Sequence, residues 1–364
     1  VFNVTKDAEI DIANDISTTM IQKIEKGVKN RRKGKPVRFV YDKEMDAGLL
    51  EFLMRRMSLT KKDNLIPGGR IHNFRHFMEF PDVFSKKSTR KKPFQHPLLA
   101  GTSRVTDIIL DNDVMLNFPY HSFNPVIELL RESAIDPDVV SIKITAYRLA
   151  SNSKIINALI NAVRNGKQVT VMIELRARFE EETNLEWKEK LEEEGVKVLI
   201  GIPNMKVHAK LCIIRKRIQN RTIQYGFVST GNLNESTAKI YSDHCLLTAH
   251  RGIMADINRI FLYIERYKTR PDLLKTCKSL IPCPGNLRRE ILKLINQEIR
   301  AAKKKKKAGI LLKMNSLSDE ALIEKLNEAA RAGVSVRLII RGIFCMQTES
   351  AKFKKPIKAI SIID

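Results

Sequence analysis

From about residue 98 the chain alternates short apolar runs with amphipathic stretches, and it does so twice in one register. "VVSIKITAYR" and "KQVTVMIEL" read as buried strands. Between them "NSKIINALINAVRNG" reads as a helix with Ile155, Ile156, Leu159, Ala162 and Val163 as its apolar positions and Gly166 as its stop. "NLEWKEKLEEEG" and "VKVLIGI" add another helix and strand. After residue 305 the succession returns as "AGILLKMNS", "DEALIEKLNEAARAG" and "VSVRLIIRG". With Gly166 set over Gly333, Ile156 falls on Ile323, Leu159 on Leu326, Ala162 on Ala329, Arg164 on Arg331 and Val169 on Val336. Strands that alternate with helices imply a parallel or mixed sheet covered on both faces. The expectation is an α/β fold with an internal duplication and a site shared between its halves.

Residues 1–95 are basic and mixed. "DISTTMIQKIEKGVKNRRKG" reads as an amphipathic helix ending at Gly34, "KPVRFVYD" as a strand and "DAGLLEFLMRRMSL" as a second helix. "FSKKSTRKKPFQHP" reads as a positive loop, with Pro93 and Pro97 marking a boundary. The 364 residues thus divide into a mainly helical α+β domain at 1–95 and two α/β domains at 96–275 and 276–364.

The formal net charge is +24. Such a field attracts polyanions: nucleic acid, an anionic membrane surface or polyphosphate. Aromatic residues make up only 6% of the chain, which argues against a base-stacking single-strand binder. No apolar run approaches the roughly 18 residues that span a bilayer. "VFNVTKDAEIDI" lacks the basic and apolar regions of a signal peptide and reads as a chain whose own N-terminus lies further upstream. Five scattered cysteines (Cys212, Cys245, Cys277, Cys283, Cys345) form no CxxC pair, so they read as reduced, mostly buried thiols of a cytoplasmic protein with no disulfide or cysteine–metal framework. "KKKKK" at 303–307 reads as a solvated loop tip.

In "NMKVHAKLCII" (204–214) strand alternation would put Val207, Ala209, Leu211 and Ile213 on an apolar face. Lys206, His208, Lys210 and Cys212 would then share a wet face, with His208 and Lys210 side by side to grip a phosphate. Arg148, Arg178 and Arg341 follow strands, where ligands of open α/β sheets gather. Their guanidinium groups bind phosphate oxygens bidentately. Thr230, Gly231 and Asn232 form a polar turn after "IQYGFV", with donors for an anion. A histidine near neutral pH is often unprotonated and nucleophilic, so His208 can attack phosphorus while Lys210, Arg148 and Arg178 neutralise charge beside a divalent ion. The remaining histidines (His72, His76, His96, His121, His244, His250) have no comparable setting.

The ordered segments "FPYHSFNPVIELLRESAIDPDVVSIKITAYRLASNSKIINALINAVRNGKQVTVMIELRARFEEETNLEW", "IPNMKVHAKLCII", "STGNLNESTAKIYSDHCLLTA" and "ILLKMNSLSDEALIEKL" through "IKAISIID" resemble bacterial polyphosphate kinases. The resemblance runs from about residue 95 to the end and more loosely through 1–95. It implies two duplicated phospholipase D-like α/β domains. It implies that His208 is autophosphorylated, that Arg148 and Arg178 hold a magnesium–phosphate assembly, that Tyr241 contacts nucleotide and that Arg341 binds phosphate. Phospholipase D enzymes place Asp four residues beyond HxK, where this chain has Arg215, which disfavours a hydrolase. The family's N-terminal domain and its second histidine, soon after "SIID", have no counterpart here. Little turnover is expected of residues 1–364 alone.

These readings lead to a phosphotransferase that moves the terminal phosphate of ATP reversibly onto inorganic polyphosphate. Mg²⁺ is its cofactor, ATP/ADP and polyphosphate are its partners, and no nucleic acid is expected. A homo-oligomer is expected, in the cytoplasm or peripheral at the inner membrane face. Two alternatives stand beside it: a phospholipase D-type phosphodiesterase, and a non-catalytic polyanion-binding module.

Overall fold

The computed structural model describes residues 1–6, 20–32, 36–60, 64–71, 92–101, 104–150, 152–177 and 180–361. They form two compact units. The first comprises residues 1–92 with 175–185, the second residues 93–174 with 186–364.

In the first unit, β1 (Phe2–Lys6) pairs antiparallel with β2 (Pro36–Asp42), which pairs parallel with β3 (Leu65–Gly68). Helices α1 (Met20–Arg32) and α2 (Ala47–Arg56) accompany them. Asp46 caps α2 by accepting from Leu49 N at 2.9 Å. The unit is therefore α+β. The loop expected at 84–97 lies outside the described residues up to 91.

The second unit opens with α3 (Val105–Asp111), β4 (Val114–Phe118), α4 (Asn124–Ile135), β5 (Val139–Ala146), α5 (Lys154–Arg164) and β6 (Gln168–Ile173). After α6 (Glu181–Glu193), which begins three residues before the expected start at Asn184, come β7 (Lys197–Ile200), β8 (Lys210–Ile218), β9 (Arg221–Ser229), β10 (Asp243–Thr248) and α7 (Arg251–Arg266). The strands make one seven-stranded sheet in the order β4-β10-β9-β8-β5-β6-β7. Its β5-β6-β7 half is parallel and the rest antiparallel, which makes the sheet mixed.

Both faces of the sheet are covered. Leu211 and Ile213 pack with Met254, Ile257 and Phe261 of α7. On the opposite side Tyr225 is fully buried and its hydroxyl meets Ser133 Oγ of α4 at 3.1 Å. Continuous burial along β8 from Lys210 to Ile214 follows from this double cover.

A second, three-stranded parallel sheet follows, built from α8 (Leu287–Lys303), β11 (Gly309–Met314), α9 (Glu320–Ala332), β12 (Ser335–Ile340) and β13 (Lys358–Ile360). Its β11-α9-β12 run repeats the local arrangement of β5-α5-β6. In each, a polar residue caps the helix (Ser153, Asp319) and a glycine with positive φ ends it (Gly166 at 78°, Gly333 at 97°). The residue after the second strand donates its N–H to the end of the first: Glu174 to Ala146 O at 3.0 Å, Arg341 to Met314 O at 3.3 Å. The register that sets Gly166 over Gly333 also sets Glu174 over Arg341, and it slips by one residue at the helix caps and at the ends of the first strands.

Helix α8 ends in the same kind of turn as α9, but with lysine where glycine is usual. Lys305 N donates to Ala302 O and Lys306 N to Ala301 O, with Lys305 at φ 57°. The run 303–307 is exposed along its whole length and forms the turn that follows the helix, as its reading as a solvated loop tip requires. A side chain in the left-handed region costs on the order of 1 kcal/mol. Lys305→Gly is expected to raise stability by about 1 kcal/mol, read as a higher denaturant midpoint with an unchanged slope.

The cysteines correct one expectation. Cys212 and Cys245 are buried, but Cys277 is half-buried and Cys283 and Cys345 are exposed. The latter three lie outside the main sheet, on segments with less packing around them. None of the described helices is long and apolar enough to cross a membrane.

Candidate functional site

The expected strand over 204–214 begins only at Lys210. Backbone pairing of β5 with β8 stops at Ile144 opposite Cys212. Beyond it a side chain replaces the ladder: Thr145 Oγ1 donates to Ala209 O at 2.7 Å and accepts from Leu211 N at 2.9 Å. On the other side Val207 N donates to Glu174 Oε2 at 2.7 Å. The His208–Lys210 segment is therefore clamped between the carboxyl ends of β5 and β6 without being a strand. The two-face pattern fails with it, because Lys210 and Cys212 of the expected wet face are buried and Ala209 of the expected apolar face is exposed, while Lys206 and His208 are exposed as expected.

The two side chains nonetheless meet. Lys210 Nζ donates to His208 O at 2.6 Å and lies 3.0 Å from Nδ1 and 3.1 Å from Nε2 of the same ring. A point so nearly equidistant from both nitrogens would collide with Cε1 if it lay in the ring plane. The ammonium therefore stands over the imidazole face, and neither in-plane nitrogen lone pair is directed at it. Tyr147 completes the enclosure: its ring meets His208 edge-on at 4.5 Å and has Lys210 Nζ at 4.8 Å. Arg148 lies beside the same ring, Cζ at 5.9 Å from its centroid.

Burial, with the charges of Lys210, Arg148 and Lys206, pushes the His208 pKa below its usual 6.5. Burial first and Arg148 second pull Lys210 from 10.5 down to about 8, against the attraction of Asp243. At neutral pH the site therefore holds a neutral imidazole under a charged ammonium. That is the protonation pattern a nucleophile attacking an anion requires.

Asp243 is placed by the polar turn. Thr230 Oγ1 donates to Asp243 Oδ1 at 2.7 Å and accepts from His244 N at 3.0 Å, and Thr230 N donates to His244 O at 2.9 Å. Thr230 thus orients Asp243, and its expected role as a phosphate donor is already engaged. Asn232 keeps a buried Oδ1 without a hydrogen-bond partner. At Gly231 a Cβ would fall 2.7 Å from the Asp243 side chain. Gly231→Ala is therefore expected to displace Asp243, cost about 1–3 kcal/mol of stability and move the Lys210 titration to still lower pH. Unfolding and a pH–rate profile would show both.

The remaining expected residues stand elsewhere. Arg341 follows β12 with Cζ 5.2 Å over the Tyr241 ring and donates to Asn315 Oδ1. Both side chains are exposed. Arg178 lies outside the described residues, as do His72 and His76. His250 accepts from Ile253 N as the cap of α7, and His121 accepts from Asn117 N. Each has a structural task. Arg215 is exposed far along β8, opposite Ser141. Sequence reasoning missed Tyr147 and Asp243, although each adjoins or lies near a chosen residue, in "TAYR" and "YSD".

Among the described residues no three His, Cys, Asp or Glu converge as a metal cage. The cationic side chains around His208 are not metal ligands, so a divalent ion there would be held through the phosphate oxygens it accompanies.

Fold and site define an α/β protein with a histidine set beside the cationic side chains of Lys210 and Arg148. Family models match nearly the whole chain: the polyphosphate kinase middle domain over residues 1–80, C-terminal domain 1 over 104–270 and C-terminal domain 2 over 280–364. The chain belongs to the polyphosphate kinase family. Polyphosphate kinase of Vibrio vulnificus (strain YJ016) is 42% identical over 366 residues, 99% of this chain and 51% of the relative. That of Escherichia coli (strain K12) is 38% identical over 368 residues, 99% of this chain and 52% of the relative. The crystal structure of polyphosphate kinase from Porphyromonas gingivalis superimposes with a TM-score of 0.72 at 32% identity, covering 90% of this chain and 52% of that one. The chain spans about half the length of the curated relatives it matches.

Proposed function

We propose that the protein carrying this chain transfers the terminal phosphate of ATP to inorganic polyphosphate, reversibly, through a phosphohistidine at His208. The observation that carries this reading is the neutral imidazole beneath the Lys210 ammonium, beside Arg148. A lone pair of a His208 ring nitrogen attacks the γ-phosphorus. The bond from that phosphorus to the β–γ bridging oxygen breaks, and ADP leaves with the electron pair. The terminal oxygen of a polyphosphate chain then attacks the phosphorus, the N–P bond breaks, and its pair returns to the ring. Lys210 and Arg148 offset the charge on the transferring oxygens, which is most of what phosphoryl transfer asks of a protein. Arg148 and Arg178 are assigned to a magnesium–phosphate assembly, in which the ion would neutralise further charge.

Tyr241 is assigned to the nucleotide, Arg341 to its phosphate and Asn232, as a side-chain N–H donor, to phosphate as well. The layout assigned is a domain at 1–95 and two duplicated phospholipase D-like domains at 96–275 and 276–364. The repeated β-α-β register supports the duplication. A homo-oligomer and a peripheral position on a membrane surface belong to the same reading, the latter supported by the charge of +24. ATP, Mg²⁺ and polyphosphate supplied together should give ADP in step with polyphosphate growth. ADP release without chain growth would contradict the transfer, since water would then be the acceptor.

A further inference from the structure

The amino ends of β11 and β12 border a half-open surface cavity of about 620 Å³, at the opposite end of these strands from Arg341. Lys305, Lys306, Lys307, Arg337 and Lys355 line it, with Gly309, Gly333 and Ser335 between them and no carboxylate in the wall. The five cationic side chains make no ion pair with another described residue. The nearest carboxylate shown, Glu298, accepts from Gly309 N at 2.8 Å. Two helix C-termini, of α8 and α9, also end here, and each brings about half a negative charge. Five full positive charges outweigh them. The turn that brings the lysines in is the one that holds Lys305 in a left-handed conformation where its counterpart at the end of α9 uses Gly333.

We propose that this cavity is a second binding site for condensed inorganic phosphate, separate from the His208 site. The proposal rests on the function assigned above for the choice of polyanion. A condensed phosphate carries about one charge per unit and offers oxygens to several lysines at once. Along the six residues of β12 the cavity and Arg341 stand roughly 20 Å apart. A long phosphate chain that reaches both ends of the sheet is held at two points, and the second contact forms at high effective concentration.

The test is calorimetric titration of the chain with inorganic tripolyphosphate, in a His208→Ala/Lys210→Met background that weakens the first site. Lys306→Ala/Lys307→Ala/Lys355→Ala is expected to lower affinity about tenfold or more. Lys26→Ala/Lys29→Ala/Lys43→Ala removes the same net charge from exposed positions elsewhere and is expected to change affinity less than about twofold. Arginine at the three cavity positions should restore binding, which separates charge from damage to the fold. Equal losses in both triple variants would show bulk attraction only and overturn the proposal, as would no loss in the cavity triple. If the cavity triple has no effect while the wild-type chain still forms a phosphohistidine, this inference alone falls. If the cavity triple loses binding but no phosphohistidine forms, the function assigned to His208 falls and the anion site stands.

Discussion

Lys210→Met is expected to make the protein more stable and to abolish phosphate transfer. A lysine titrating near 8 in the folded chain and near 10.5 when unfolded is held charged against its environment. Below pH 8 both states carry the proton and the folded state bears the full penalty. Between 8 and 10.5 the unfolded chain binds more protons, so stability rises with pH. Above 10.5 the penalty is gone. The shift corresponds to about 3 kcal/mol, of which Lys210→Met should recover roughly 2 kcal/mol at pH 7 once the lost bond to His208 O is set against it. The wild type should gain stability from pH 8 to 10.5 by a similar amount and the variant should not. Activity should follow the opposite course, with kcat/KM falling above about pH 8 as the ammonium loses its charge. Lys210→Arg, which keeps its charge, should lack that alkaline limb even where its rate is reduced. A Lys210→Met variant no more stable than wild type would show that burial does not penalise this charge.

The repeated α/β units were legible because their helices carry long, one-sided apolar patterns ending in glycine, and Gly166 and Gly333 both take the left-handed conformation their places predict. The residue types at the candidate site were legible too, since His208, Lys210 and Arg148 lie in distinctive segments. Their geometry was not. Alternation assumes a strand, and the strand stops at Lys210 because Thr145 supplies its hydroxyl in place of a backbone partner, a substitution that no local pattern announces. Burial of Lys210 was hidden for the same reason: continuous cover on both faces of β8 is a property of α4, α5 and α7 together. Tyr147 reads in sequence as one more strand-end aromatic, and its role emerges only from the two rings and the ammonium meeting. Thr230 illustrates the converse, a residue of the right type whose hydroxyl is already engaged with Asp243. The lysines at 303–307 are the solvated run the sequence suggests, and what no local pattern announces is that Lys305, Lys306 and Lys307 border the same depression as Arg337 and Lys355.

His208→Ala should remove the nucleophile and lower transfer by at least about 10⁴-fold while leaving the fold intact, because the ring is exposed and the segment is held by Thr145 and Glu174. The most direct measurement is of the intermediate itself. The chain is incubated with ATP labelled at the γ-phosphorus and Mg²⁺, quenched, and assayed for a bound label that is lost in acid and kept in alkali. The account predicts such a label at His208, absent from His208→Ala and discharged by added polyphosphate or ADP. A label that survives His208→Ala, or wild-type transfer that proceeds with no label at this residue, would contradict it.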